Sequence, residues 1–136
     1  MHNRSTQISI RQATPADAEL VPMLNTDVQA IHAAAQPERF KPPDPTSFPA
    51  AETRVLLAKD ANLVLLAFVD SAPAGYIYAE IVRRPPTSLV HAYETIYVHH
   101  ISVKPAYRRC SVGIALLNAV RISGSHLGIT LLTLDV

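Results

Sequence analysis

Apolar residues alternate with polar ones in some stretches of the chain and recur at helical spacing in others, which indicates a mixed α/β fold. Ile8 and Ile10 predict a short first strand. The run Leu20–Ala35 has the spacing of an amphipathic helix. Pro15 suits the start of this helix, whereas Pro22 predicts a kink or a restart within it.

The middle of the chain predicts a β-hairpin. After a short helix over residues 50–59, the apolar run Asn62–Val69 is typical of a buried strand. Residues 70–75 are of types that favour turns. Apolar and polar residues alternate again over residues 76–82, so we expect this segment to pair back on the strand. Two prolines end the hairpin in residues 83–86, because proline cannot extend a hydrogen-bonded ladder.

The segment Tyr93–Val103 predicts the longest strand. Its apolar positions form two pairs of opposite parity, Ile96 with Val98 and Ile101 with Val103. A strict period of two cannot bury both pairs on one side, so we expect a bulge near His99 and His100. Bulges are frequent beside active sites because they redirect side chains.

A second amphipathic helix is predicted from Val112, with Gly124 as its C-cap, and residues 129–136 form an apolar strand. The unit over residues 94–136 should be a right-handed parallel crossover. The order of elements predicts one α/β domain over residues 1–136, built on a mixed sheet.

Composition narrows the classes of function. The 136 residues are 49% hydrophobic and 17% charged, as in a globular domain. A net charge of +1 argues against nucleic acid or an anionic membrane as partner. Cys110 is the single cysteine, so no intrachain disulfide is possible, and the N-terminus lacks an apolar signal region. We therefore expect a cytoplasmic protein.

The turn between the long strand and the second helix suggests an anion site. It contains Arg108 and Arg109, a small residue at Ser111 and a glycine at Gly113. A strand, a turn of small residues and a helix direct backbone N–H groups and the helix dipole at a phosphate. The nucleotide P-loop pattern and the dinucleotide glycine pattern are both absent, so a different phosphate-bearing ligand is expected.

Residues 108–113 resemble the acyl-CoA-binding motif of the GNAT superfamily of N-acyltransferases. Residues 103–107 are similar to the family's strand exit, residues 115–117 to its helix, and the order of elements to its fold. The resemblance implies that acetyl-CoA is the co-substrate, with its pyrophosphate on backbone N–H groups of residues 109–114 and its pantetheine arm along the strand. The implied binding residues are Ile101, Val103, Arg108, Arg109, Cys110, Ser111, Val112, Gly113 and Ile114.

The sequence departs from the family in two places. Ser111 replaces the first glycine of the motif, and serine accepts positive φ less readily than glycine. Family members also continue beyond the fifth strand with a helix and two strands, including a tyrosine that often protonates the thiolate. We expect a C-terminally incomplete member that covers its exposed last strand by forming a homodimer.

In this family a base or an ordered water on the fourth strand deprotonates the amine, and a backbone N–H near the bulge polarises the thioester. The candidate catalytic residues are Tyr97, His99 and Glu94, with His100 beside them. Tyr97 lies where some members carry an acidic base, which favours deprotonation through water. Cys110 has no triad signature around it and is not expected to act as a nucleophile.

The resemblance implies transfer of an acetyl group to a primary amine by direct attack, without a metal. The alternative is a CoA-binding protein or a structural remnant without catalysis, because of Ser111 and the missing end. The acceptor is a small-molecule or protein amine. The proline-rich loop 37–49 either pins its Phe40 and Phe48 to the body of the domain or lines the acceptor pocket with them.

Overall fold

The structure is a computed structural model that describes residues 7–43 and 49–134. Within these residues the chain forms a five-stranded sheet in sequential order: β1 Ile8–Gln12, β2 Asn62–Val69, β3 Ala72–Arg84, β4 Tyr93–Val103 and β5 Leu132–Leu134. The helices are α1 Leu20–Ala35, α2 Ala50–Ala58 and α3 Val112–His126. The first four strands are antiparallel, and β5 runs parallel to β4. The predicted α/β class with a mixed sheet is confirmed.

Aliphatic side chains cover the face of the sheet that packs against α3. Strand alternation directs Leu65, Ile77, Ile96 and Val98 to this side, where they meet Leu116 and Val120 of the helix. Leu116 and Val120 are fully buried. This larger cluster forms the main hydrophobic core of the domain.

The opposite face packs against α1 and α2 and is more polar. Val21 and Leu24 of α1 pack on Leu66 and Tyr76 of the sheet. Asn25, Thr53 and Ser102 are also buried, and the Ser102 hydroxyl donates a hydrogen bond to the Leu24 carbonyl at 2.7 Å. This bond fixes α1 against the second half of β4.

A bulge interrupts the pairing of β3 with β4. Tyr78 lies opposite His100 and Ala79 lies opposite Val98, so His99 is the extra residue. Because of this insertion His99 and His100, although adjacent in sequence, both contact Tyr78 on the α1 side of the sheet. Beyond the bulge, Ile101 and Val103 pack against the α3-side cluster. The bulge expected at this position is confirmed.

The fifth strand contacts only the first half of β4. It pairs with Ile96, Tyr97 and Val98, so that among the described residues β4 and β5 separate where the bulge begins. The other edge of β4 stays on β3 along its whole length. The sheet is therefore split over residues 99–103, next to the start of α3.

The structure corrects several local predictions. The hairpin turn consists only of Asp70 and Ser71, both with positive φ, and β3 has 13 residues against 11 in β4, so β4 is not the longest strand. Helix α1 begins at Leu20, which places Pro22 in the first turn, where its missing N–H costs nothing. Proline therefore produces no kink.

The predicted C-cap at Gly124 is wrong, because α3 continues to His126 and turns at Gly128, whose φ is 76°. The Ile129 N–H donates to the Gly124 carbonyl and the Gly128 N–H to the Ser125 carbonyl, which is a Schellman motif. Gly124 instead allows close packing, since an added Cβ would lie 2.5 Å from Ile96 Cδ1.

Candidate functional site

The turn before α3 has two residues in the left-handed region. After a 3-10 turn at Pro105–Tyr107, Arg109 has a φ of 70° and Ser111 a φ of 64°. Helix α3 then starts at Val112. A left-handed residue beside a helix N-terminus lets successive N–H groups converge, which is the arrangement that binds anions.

Ser111 stands where the family motif has glycine, and its backbone keeps the conformation that glycine favours. Its φ of 64° and ψ of 20° place it in the left-handed helical region. For a residue with a Cβ this conformation costs about 1 kcal/mol. The turn therefore has a left-handed backbone at this position although serine carries a Cβ.

A cavity of about 340 Å³ opens at this turn. It is lined by Val103, Tyr107, Arg108, Arg109, Ser111, Val112, Gly113 and Ile114. Gly113 is not required by packing within the protein, because a Cβ there would meet only Val103 Cγ2 at 3.9 Å and Ile101 Cδ1 at 4.0 Å. Its small size keeps the cavity open.

A second cavity of about 230 Å³ continues from the first along β4. It is lined by Val28 and Ile31 of α1, by Ile101, Ser102 and Val103 of β4, and by Arg108. Val103 and Arg108 belong to both cavities, which together form a trough from the turn to the second half of β4. Ile31, which the sequence pattern placed on the core face of α1, is 52% exposed beside this trough.

Aromatic rings and one carboxylate surround the bulge. The His99 Nε2 atom lies 2.8 Å from Glu80 Oε1 on the neighbouring strand. Tyr78 stacks on the His99 ring at a centroid distance of 4.6 Å, and Tyr97 meets it edge-on at 4.7 Å. We call Tyr78, Glu80, Tyr97 and His99 the bulge cluster.

His100 points into a buried polar network instead. The Tyr76 hydroxyl lies 3.1 Å from His100 Nδ1 and donates to Asn25 Oδ1 at 2.8 Å. Burial lowers the pKa of His100, and the nearby imidazoles of His99 and His32 add to this effect. Burial also raises the pKa of Tyr76, so both rings are neutral at pH 7.

The structure brings together only part of the predicted catalytic set. Tyr97 and His99 lie in the bulge cluster, but Glu94 lies near the start of β4, opposite Arg83. There it lines a separate cavity of about 560 Å³. Cys110 is half-buried and packs against the α3-side cluster. Glu80 and Tyr78 were missed by the sequence analysis, although their alternation on β3 places them on one face.

The loop after α1 is held to the helix. Phe40 stacks on His32 with a centroid distance of 4.9 Å, and the Gln29 side-chain amide donates to the Lys41 carbonyl at 2.8 Å. Phe40 therefore pins the described part of the loop to the domain. Phe48, the other aromatic residue considered, lies outside the described residues.

The sequence matches the acetyltransferase (GNAT) family over residues 26–136. No curated protein matches it. Its fold is similar to that of a mutant of the BH1408 protein from Bacillus halodurans, with a TM-score of 0.84, 24% identity and 94% and 82% of the two chains covered. The ribosomal-protein-alanine N-acetyltransferase from Brucella melitensis biovar Abortus 2308 gives a TM-score of 0.69 at 21% identity, with 96% and 80% covered.

A third similar structure is the aminoglycoside N-acetyltransferase AAC(6′)-Iy in complex with a bisubstrate analogue, CoA-S-monomethyl-acetylneamine. It gives a TM-score of 0.72 at 21% identity, with 96% of this chain and 80% of that chain covered. The split sheet and the left-handed turn define an acyltransferase fold. The chain belongs to the acetyltransferase (GNAT) family and is an acyltransferase.

None of the helices in the described part of the chain has the length and apolarity needed to cross a membrane.

Proposed function

We propose that the protein transfers an acetyl group from acetyl-CoA to a primary amine by direct attack. The observation that carries this proposal is the continuous trough that joins the left-handed turn to the second half of β4. One end of the trough has the features of an anion site, and the other end reaches the strand that carries the bulge cluster.

The residues of the turn fit a pyrophosphate. Backbone N–H groups at the start of α3 and the guanidinium groups of Arg108 and Arg109 supply donors and positive charge. The pantetheine arm would lie beside Ile101 and Val103, on the edge of β4 that β5 does not pair. Cys110 and Ile114 complete the proposed binding turn.

We assign the base to His99 of the bulge cluster, with Tyr97 beside it. The ammonium form of the acceptor loses a proton to this imidazole, directly or through water, and the proton passes to solvent. The amine nitrogen then bonds to the thioester carbon as the carbon–sulfur bond breaks. The nitrogen's second proton is lost through water, and one proton is taken up by the thiolate, so that an amide and free thiol result.

The proposed acceptor is a primary amine. The similar structures include enzymes that are named for acetylating aminoglycosides and ribosomal-protein alanine, which supports a small-molecule or a protein amine equally. The cytoplasmic location and the homodimer remain predictions. A dimer would cover β5, where Leu134 is 48% exposed, and multi-angle light scattering of the purified protein tests it.

Substitutions at Gly113 test the trough. Alanine fits the space around this position, so Gly113→Ala should keep acetyl-CoA affinity within about threefold while stabilising the helix by about 0.5–1 kcal/mol. Leucine would fill the cavity, and Gly113→Leu should weaken binding at least about tenfold, which is about 1.4 kcal/mol. Isothermal titration with acetyl-CoA measures both, and Ser125→Ala on the exposed end of α3 is the control.

Equal affinity in the leucine variant and the wild type would show that the cofactor lies elsewhere. Thiol release with a panel of aminoglycosides, small amines and peptide N-termini tests turnover. Tight binding of acetyl-CoA without transfer to any of them would favour the non-catalytic alternative, which Ser111 and its strained backbone suggest.

A further inference from the structure

Glu80 and His99 form a hydrogen-bonded carboxylate–imidazole pair that joins β3 to β4. Glu80 lies on β3 opposite Tyr97, and its carboxylate reaches His99 Nε2 at 2.8 Å. An ionised carboxylate only accepts hydrogen bonds, so Nε2 is the protonated nitrogen of the ring. In the neutral imidazole this leaves Nδ1 as the nitrogen that can accept a proton.

The ring of His99 is also held in orientation. Tyr78 stacks on one side with an interplanar angle of 21°, and Tyr97 approaches at 68°. Contacts on its face and edge, together with the bond at Nε2, restrict rotation of the imidazole. The contacts that His99 makes with β3 and around the bulge therefore determine the direction in which Nδ1 points.

The two histidines of the bulge differ in their exposure to solvent. The side chains of His99 and Glu80 are 32% and 39% exposed, so a proton taken from a substrate can pass on to water. His100 is more deeply placed and bonded to Tyr76. His99 combines a carboxylate partner with a route to solvent, whereas His100 contributes to the buried network that joins β4 to β3 and α1.

We propose that Glu80 is the positioning residue for His99 in acetyl transfer, and this inference rests on the function proposed above. Glu80 selects the tautomer with Nδ1 as acceptor and stabilises the imidazolium once it has formed. When the acceptor ammonium loses its proton, the N–H bond breaks, an Nδ1–H bond forms, and the positive charge moves next to the carboxylate. Release of that proton to water restores the neutral ring.

Glu80→Gln tests the role of the charge, because the amide oxygen can still accept from Nε2. Glutamine removes the negative charge that faces the imidazolium formed during proton transfer. We expect kcat to fall about tenfold, with the KM for acetyl-CoA unchanged. The charged or titratable groups that face His99 in the described residues are Glu80, Tyr78, Tyr97 and His100.

Glu52→Gln on the exposed side of α2 is the control, and its kcat and KM should match those of the wild type. An active wild type whose kcat is unchanged in Glu80→Gln would overturn the positioning role alone. A wild type that binds acetyl-CoA but acetylates none of the amines would overturn the proposed function itself.

Nitrogen-15 NMR of the histidine side chains gives a readout without turnover. We expect the Nε2–H tautomer for His99 in the wild type and a mixture of tautomers in Glu80→Ala. An Nδ1–H tautomer in the wild type, or no change in the alanine variant, would contradict the assignment even if the enzyme is active.

Discussion

The two faces of the sheet are formed by the same strands but carry different kinds of side chain. On the α3 face the described core is aliphatic, and Leu116 and Val120 are fully buried against it. On the α1 face the sheet carries Tyr76, Glu80 and both histidines of the bulge. Because side chains alternate along a strand, β3 and β4 place aliphatic residues on one face and the polar residues of the bulge on the other. Substitutions of residues that are adjacent along one strand, and so lie on opposite faces, should therefore affect different properties of the protein.

The largest effect on stability is expected on the α3 face. Leu116→Ala removes a fully buried side chain and leaves a cavity, so the free energy of unfolding should fall by about 2–5 kcal/mol. Urea unfolding followed by circular dichroism measures the loss. Ile122→Ala on the same helix, where the side chain is 50% exposed, should cost less than about 1 kcal/mol. Similar losses at both positions would contradict the assignment of the core.

A smaller effect is expected in the polar network of the α1 face. Tyr76→Phe removes the hydroxyl that donates to Asn25 and contacts His100, and leaves the buried Asn25 oxygen without this donor. Unfolding free energy should fall by about 1–3 kcal/mol. Thermal unfolding checks this against Tyr93→Phe, whose ring is 43% exposed and which should behave as the wild type. An unchanged melting temperature in Tyr76→Phe would show that the network adds nothing to stability.

The smallest effect on stability is expected at the edge of the α1 face. Arg11 forms a bidentate pair with Asp17, in the turn before α1, and the hydrogen bond from Arg11 lowers the pKa of Asp17 from 3.8 to about 2. Because the folded value is the lower one, this stabilisation is complete above pH 3.8 and is lost as the pH falls towards 2. The pair is partly exposed, so we expect a loss of about 1 kcal/mol.

Arg11→Met isolates this contribution, since the other carboxylates titrate alike in both proteins. Urea unfolding at pH 6 should show the variant less stable than the wild type, and at pH 2, where Asp17 of the folded wild type is about half protonated, most of the difference should be lost. A difference that is constant across this range would assign the effect to the packing of Arg11 on Phe68, whose ring centroid lies 5.1 Å from the guanidinium carbon.

Local patterns in the sequence predicted much of the fold. The opposite parity of Ile96 and Ile101 located the bulge, because both residues had to reach the same core. Gly124 was misread as a cap because glycine is common at helix ends, whereas the close approach of Ile96 explains it. That contact joins residues distant in sequence, and no local pattern contains it.

The candidate site was predictable where it is continuous in sequence. Residues 108–113 form the turn that the motif indicated, and Ser111 keeps its left-handed backbone. The bulge cluster required the register of β3 on β4, which sequence alternation does not specify. Glu80 was overlooked for that reason, and Glu94 lies near the start of β4, opposite Arg83 and outside the bulge cluster.

The inserted residue at the bulge also makes the domain unequally sensitive to deletions at different positions of β4. Deletion of His99 would remove the bulge but leave every later residue of β4 on its present face, because Tyr78 would still pair with His100 and Ala79 with Val98. Deletion of Ile101 would instead keep the bulge and turn Ser102 towards the aliphatic core and Val103 towards α1. The loss of one codon at the bulge would thus remove His99 while the architecture of the strand persists, whereas the loss of one codon two positions later would exchange the faces of the residues that follow.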